Sequence, residues 1–232
     1  MAELSTSVSK WVVLCGMLAP PASMAVILAP IPTIRKIITE RSVMNFPLLP
    51  YSSMLANSFL WTVYGLLVGQ RKIWATNSLG FILSIYYFYQ FQQFCPAHLT
   101  NLPGTLSQHI IGVTFFIIVT ALIPFLFGEK APDLIGKAGV VICSLLFFSP
   151  LSKLKSVIQM KSARSIPLPF TISCCINCLL WTVVGYLQMD DFFVYFPNGV
   201  GLFFALIQLL LRIMYGDGPL SSKNETKYLN QV

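Results

Sequence analysis

Tryptophan and asparagine recur at matched positions about 120 residues apart in the sequence. Trp61 corresponds to Trp181, and Asn77 corresponds to Asn198. An indole ring offers a flat apolar face on which the C–H face of a sugar ring can stack. A side-chain amide supplies both donors and an acceptor, which suit two neighbouring hydroxyl groups. Two such pairs brought together would bind a small polyhydroxylated ligand.

Each of these residues also has an ordinary structural role in an apolar chain. A tryptophan near a helix end can face lipid headgroups, and an asparagine can join two helices by a hydrogen bond. The matched positions favour ligand binding, because residues related by a repeat can face each other across its axis. Asn57 and Asn177 lie four residues before the two tryptophans and so share their helix face. They either extend the pocket or hold helices together.

The composition places these residues in a membrane. Hydrophobic residues make up 56% of the 232 residues and charged residues only 10%, against roughly 25% charged in soluble domains. Apolar stretches long enough to cross about 30 Å of hydrocarbon as helices recur along the chain. We predict seven spans, at residues 11–31, 47–68, 73–94, 109–127, 134–152, 167–188 and 193–214.

Aligning the sequence with itself at an offset of 120 residues shows two related halves. Pro30 meets Pro150, and the phrase LWTVYG at 60–65 meets LWTVVG at 180–185. The matches cover three helices in each half and leave the fourth helix unmatched. Three helices end on the opposite side from where they began, so one extra crossing gives both copies the same orientation. This predicts an all-α membrane protein with a 3+1+3 arrangement, two parallel triple-helix bundles joined by an inversion-linker helix.

The repeat also predicts the organisation of the chain. We expect an extracellular N-terminus, a first triple-helix repeat, a loop with the linker helix, a second triple-helix repeat and a cytoplasmic tail, at residues 1–10, 11–94, 95–133, 134–214 and 215–232. Parallel repeats of this kind are typical of transporters, with the substrate held where the copies meet.

The net charge of +7 is a topology signal rather than a nucleic-acid-binding signal. Ten of the 15 basic residues lie in the loops after helices 1 and 5 or from the last turn of helix 7 onward. Because basic residues concentrate in cytoplasmic loops, the N-terminus is predicted outside and the C-terminus in the cytoplasm. The partners expected are the lipid bilayer and a small molecule, with no nucleic acid.

Four prolines fall near the cytoplasmic ends of the predicted helices 1, 2, 5 and 6. They are Pro30, Pro50, Pro150 and Pro169. A proline inside a helix removes a backbone hydrogen bond and marks a kink or hinge. Four at one level predict a ring that opens and closes an inner gate, the alternative being static kinks. Pro20, ten residues before Pro30, and Pro21 should bend helix 1 near the middle of the membrane.

Several motifs resemble the eukaryotic SWEET family of sugar transporters over roughly residues 11–214. They are LAPIPT at 28–33, PLLPY at 47–51, FSPLS at 148–152, PLPF at 167–170 and DFFVYFPNGVG at 191–201, together with the two LWTV phrases. The resemblance implies that Trp61 and Trp181, together with Asn77 and Asn198 of helices 3 and 7, line a sugar site. It implies further that the four prolines form the inner gate. It also implies an outer gate closed by a hydrogen bond between Tyr64 and Asp191, with Val184 where the second copy would carry a tyrosine.

We expect passive transport, because the predicted helices carry no deep Asp, Glu, Lys or Arg of the kind that ion-coupled carriers use. The prediction is a bidirectional uniporter at the plasma membrane, with no cofactor, no metal and no enzymatic activity. Two bulky tryptophans favour a monosaccharide such as glucose over sucrose. The alternatives are a PQ-loop-type proton-coupled amino-acid carrier and a non-transporting receptor or partner protein. The resemblance also implies a homo-oligomer.

Overall fold

The computed structural model describes residues 2–96 and 105–218, and it describes side chains from 10 onward except 145–153. Within these ranges the chain forms eight α-helices and one 3₁₀ turn at Gly128–Lys130. The helices are α1 (Ala2–Leu28), α2 (Ile31–Glu40), α3 (Leu49–Leu67), α4 (Arg71–Phe94), α5 (Leu106–Phe127), α6 (Ala131–Met160), α7 (Leu168–Leu187) and α8 (Phe192–Tyr215).

These helices confirm the seven predicted spans, with α1 and α2 together forming the first. Four stretches of the described residues meet both the length and the apolarity expected of a membrane span: Lys10–Glu40, Leu106–Ser144, Leu168–Leu187 and Phe192–Tyr215. The more polar α3 and α4 have 19 and 24 residues, which at 1.5 Å per residue brings them to the thickness of the hydrocarbon layer.

The first span is broken next to Pro30, where the sequence predicts a kink or hinge. α1 runs through Pro20 and Pro21 to Leu28, and α2 begins at Ile31. Pro30, which precedes α2, has no N–H to donate to the preceding turn and disfavours helical geometry in the residue before it. Pro32 lies in the first turn of α2, where a proline is tolerated. The prolines therefore divide the span toward its C-terminal end.

Another difference concerns the fifth span, predicted to end at residue 152. α6 continues to Met160, and the chain then turns at Lys161, which has a positive φ of 48°. Lysine has a high helix propensity, so Lys155 does not end the helix when the chain leaves the apolar layer.

The described chain forms two compact units. The first unit runs from Ile27 to Gly139, and the second contains the residues up to Val26 and those from Val140 onward. In the first unit α3 packs on α4 and α5, and α2 packs on α4; in the second unit α7 packs on α8. The unit boundaries fall within helices α1 and α6, so they differ from the limits of the sequence repeats.

The repeat is visible in the backbone of the two loops that follow the first span of each repeat. Arg41 and Lys161, 120 residues apart, have positive φ values of 51° and 48°. Each is followed by a serine whose N–H closes the preceding helix: Ser42 donates to Ile37 O at 3.2 Å, and Ser162 donates to Val157 O at 3.3 Å. The matched sequence positions therefore adopt matched turns.

The glycine that ends each LWTV phrase has a packing role in the hairpins α3–α4 and α7–α8. A Cβ at Gly65 would lie 2.6 Å from the Trp74 nitrogen, and one at Gly185 would lie 2.8 Å from the Tyr195 nitrogen. Each contact is with the backbone of the next helix, which cannot move aside as a side-chain end can. Glycine at these positions lets α3 approach α4, and α7 approach α8.

We expect Gly65→Ala and Gly185→Ala each to lower the free energy of unfolding by about 1–3 kcal/mol through overpacking. Thermal unfolding in detergent would measure this. The matched control is Gly112→Ala in α5, where an added Cβ has nothing within 4 Å and alanine favours the helix. Equal melting temperatures for all three variants would contradict the proposed close approach.

Candidate functional site

The first tryptophan is held by contacts from its own helix and from α6. Trp61 is 8% exposed, and its Nε1 donates a hydrogen bond to Asn57 Oδ1 at 3.1 Å. The ring of Tyr64 meets the indole edge-on, with centroids 5.3 Å apart. A Cβ on Gly139 would lie 3.0 Å from Trp61 Cζ2, so the glycine leaves room for the indole.

Its repeat mate is held by a different arrangement, which includes helix α1. Trp181 is 6% exposed, and its Nε1 donates to Ser23 Oγ at 2.7 Å. The Ser23 hydroxyl in turn donates to Asn177 Oδ1, also at 2.7 Å. The same asparagine position thus serves the indole directly in the first copy and through a serine in the second.

Ser23 was not predicted as a site residue. The repeat comparison conceals it, because the matched position 120 residues later is Cys143. A signal was present nevertheless: a serine within an apolar span needs a hydrogen-bond partner inside the protein. The structure shows two partners for it.

Asn77 and Asn198 are held in the same way in both copies. Each is half-buried, and each donates from Nδ2 to the carbonyl oxygen four residues earlier in its helix, at 2.9 Å to Ile73 O and 2.8 Å to Val194 O. The bond uses one amide donor and fixes the orientation of the amide plane. An amide has a second N–H and an oxygen acceptor as well, which are the groups that a ligand diol requires.

The four prolines occupy different kinds of position. Pro50 and Pro169 lie in the first turns of α3 and α7, where a proline removes no helical hydrogen bond, so they begin helices rather than kink them. Pro30 stands at the break between α1 and α2. Pro150 lies inside the continuous α6, and its side chain is outside the described residues.

In the turn between α7 and α8, Asp191 accepts a hydrogen bond from the Phe193 N–H at 3.0 Å and so caps the start of α8. Tyr64 is buried against Trp61, and Val184, its mate in the second copy, is also buried. The hydrogen bond expected between Tyr64 and Asp191 remains a prediction.

Two ion pairs among the described side chains lie toward the ends of their helices. Lys137 in the second turn of α6 pairs with Asp133 at 2.6 Å, and both are largely exposed. Arg212, in the last turn of α8, pairs with Asp217 at 2.6 Å. Neither pair has the deep position at which ion-coupled carriers titrate or coordinate.

These features are those of an all-helical membrane protein with a 3+1+3 arrangement, in which each repeat carries a buried tryptophan and a half-buried asparagine at matched positions. Comparison with known proteins agrees. The family model described as "Sugar efflux transporter for intercellular exchange" matches the chain twice, at residues 13–99 and 133–219. The chain belongs to this family, the SWEET transporters.

Individual relatives support the assignment over most of the chain. It is 31% identical to the bidirectional sugar transporter SWEET17 of Arabidopsis thaliana, covering 86% of this chain and 83% of the relative. It is 28% identical to the bidirectional sugar transporter SWEET8 of the same plant, covering 86% of each. A solved structure of a eukaryotic SWEET transporter superposes with a TM-score of 0.78 at 26% identity, covering 88% of this chain and 96% of that one.

A double-mutant cycle tests the hydrogen-bonded chain at Trp181. We expect Ser23→Ala and Trp181→Phe to be non-additive in the free energy of unfolding by about 0.5–1.5 kcal/mol, because both remove the same bond. Unfolding in detergent would measure all four proteins of the cycle. Ser23→Ala combined with Ser173→Ala is the control, because the Ser173 hydroxyl bonds only Pro169 O of its own helix among the contacts described. Full additivity in the first cycle would contradict the bond.

Proposed function

We propose that the protein is a facilitative, bidirectional sugar transporter that carries a monosaccharide such as glucose by alternating access between its two repeats. The proposal is supported by its family and by the activity in the names of its relatives. The observation that carries it is the equivalent support of Asn77 and Asn198, each bonded to the carbonyl four residues before it.

The roles of the paired residues follow from how their polar groups are used. Each indole N–H is already bonded within the protein, so Trp61 and Trp181 offer a sugar their ring faces rather than a donor. Aromatic faces suit the C–H surface of a pyranose. The two asparagines supply hydrogen bonds to hydroxyl groups. Asn57 and Asn177 act on the sugar indirectly, by orienting the indoles.

The size of the two tryptophans bears on the choice of substrate, and the positions of the charged residues bear on the driving force of transport. Two large indoles leave less room than a disaccharide requires, which favours a monosaccharide. Because the charged residues described lie in loops or near the ends of the spans, the transport is driven by the sugar gradient alone. Proton-coupled amino-acid transport, the competing function, depends on an intramembrane acid.

The proposal includes the two gates, the orientation of the chain in the membrane and its oligomeric state. The prolines at the cytoplasmic ends form the inner gate, and Tyr64 with Asp191 forms the outer gate. The excess of basic residues in the loops after helices 1 and 5 and from the last turn of helix 7 onward places the C-terminus in the cytoplasm. We further propose that the protein acts in the plasma membrane as a homo-oligomer.

Uptake of labelled glucose into proteoliposomes, with and without a pH gradient, tests this function. We expect wild-type uptake to be saturable and unaffected by the pH gradient. Asn198→Ala should reduce uptake at least about tenfold, because loss of two hydrogen bonds to a bound sugar costs on the order of 1–3 kcal/mol.

Ser78→Ala is the matched control for this experiment. Ser78 neighbours Asn77 and makes the same type of bond, from its hydroxyl to Trp74 O four residues earlier at 2.7 Å. Because this hydroxyl has no proposed role in sugar binding, we expect Ser78→Ala to leave uptake within about twofold of wild type. Uptake that requires a proton gradient would favour the amino-acid carrier instead. Absence of flux with monosaccharides, disaccharides and amino acids, in protein shown to be folded, would refute the transporter.

A further inference from the structure

The break in the first span lies beside a boundary between the two compact units. α1 ends at Leu28 and α2 begins at Ile31, while the first unit begins at Ile27. The last carbonyls of a helix lack partners from their own helix. In the apolar layer no water replaces those partners, so each must be satisfied by another part of the protein.

The hydroxyl of Tyr87 satisfies one of these carbonyls. Tyr87 lies in α4 and is fully buried, and its hydroxyl donates to Ile27 O at 3.2 Å across 60 residues of sequence. Its ring packs in the core that also contains Ile34 and Ile37 of α2, both almost completely buried. The ring of Tyr87 thus lies in the core to which the helix beyond the break contributes, while its hydroxyl bonds the helix before the break.

Packing alone does not require a hydroxyl at this position. Phe88 and Phe91 fill the same core with plain aromatic rings. The repeat gives a further comparison, because the position matched to Tyr87 in the second copy, 121 residues later, is Gln208. The corresponding stretch of that copy lies within the unbroken α6. Tyrosine thus occurs in the copy whose first helix is broken.

We propose that Tyr87 is a positioning residue for the hinge in the first span. Its hydroxyl holds the end of α1 at Ile27 while its ring holds α2, and this contact sets the angle at which α2 and the inner gate leave the membrane. The contact re-forms in each transport cycle, so it controls the rate of the conformational change and not the affinity for sugar. This role rests on the transport function proposed above.

Tyr87→Phe tests the inference, because it removes the hydroxyl and keeps the ring. The matched control is Tyr86→Phe, which removes the hydroxyl of a neighbouring tyrosine that is 45% exposed. The first measurement is hydrogen exchange of peptides covering residues 27–40 in reconstituted wild type and both variants. An unpaired buried carbonyl destabilises the hinge, so we expect exchange about tenfold faster in Tyr87→Phe than in the control.

The second measurement is the dependence of glucose flux on glucose concentration in proteoliposomes, corrected for folded protein. We expect Tyr87→Phe to change the maximal rate at least about threefold while the half-saturation concentration stays within about twofold. A role in folding alone would lower the amount of folded protein and leave the corrected rate unchanged, which would overturn the proposal.

The two measurements separate failure of the inference from failure of the function. Exchange and maximal rate equal to those of Tyr86→Phe would show that the hydroxyl does not set the hinge. A change in half-saturation concentration with an unchanged maximal rate would likewise overturn the proposal. If wild-type protein moved no glucose, the proposed substrate would fail, and the exchange measurement would by itself decide whether Tyr87 holds the hinge.

Discussion

In the hydrocarbon layer every polar group of the backbone must find a partner within the protein. The consequences appear wherever the regular helical pattern is supplemented or interrupted. Hydroxyl groups on the spans donate to carbonyls one turn earlier, as Thr62 does to Ser58 O and Ser84 does to Gly80 O. Where proline divides the first span, the partner comes from another helix, through Tyr87. Polar side chains within the spans need partners for the same reason, and the Ser23 hydroxyl connects the Trp181 indole with the Asn177 amide.

The paired residues of the site show how the same constraint produces both symmetry and asymmetry. Asn77 and Asn198 make the same bond because their partner is a carbonyl of their own helix, which every helix provides. The two tryptophans differ because their partners come from side chains, and side chains differ between the copies. The first copy bonds its indole directly to Asn57, whereas the second copy inserts a serine from α1. The two copies therefore have similarly held amides but differently supported indoles.

Close approach of helices is the other condition on which the hairpins depend. Gly65 and Gly185 lie where the backbone of the next helix passes closely. The turn that follows each glycine is closed by a backbone hydrogen bond of 2.9 Å, from the Gln70 N–H to Gly65 O and from the Asp191 N–H to Gly185 O. In lipid, helix association relies on such packing and on internal hydrogen bonds rather than on exclusion of water. The recurrence of the LWTV phrase thus combines two requirements in six residues, an aromatic side chain for the site and a glycine for the hairpin.

The sequence by itself determined the features that depend on local composition and on repetition. Apolar length predicted seven spans, the 120-residue offset predicted the 3+1+3 arrangement, and the motifs predicted the family, because each is written in residues near one another or in matched positions. The break after Leu28 falls at Pro30, where the sequence predicts a kink or hinge. Ser23 at Trp181 and the hydroxyl of Tyr87 at Ile27 were decided only by the tertiary structure. Each joins residues that lie on different helices or have no counterpart in the other copy, and which polar group satisfies which depends on how the helices pack.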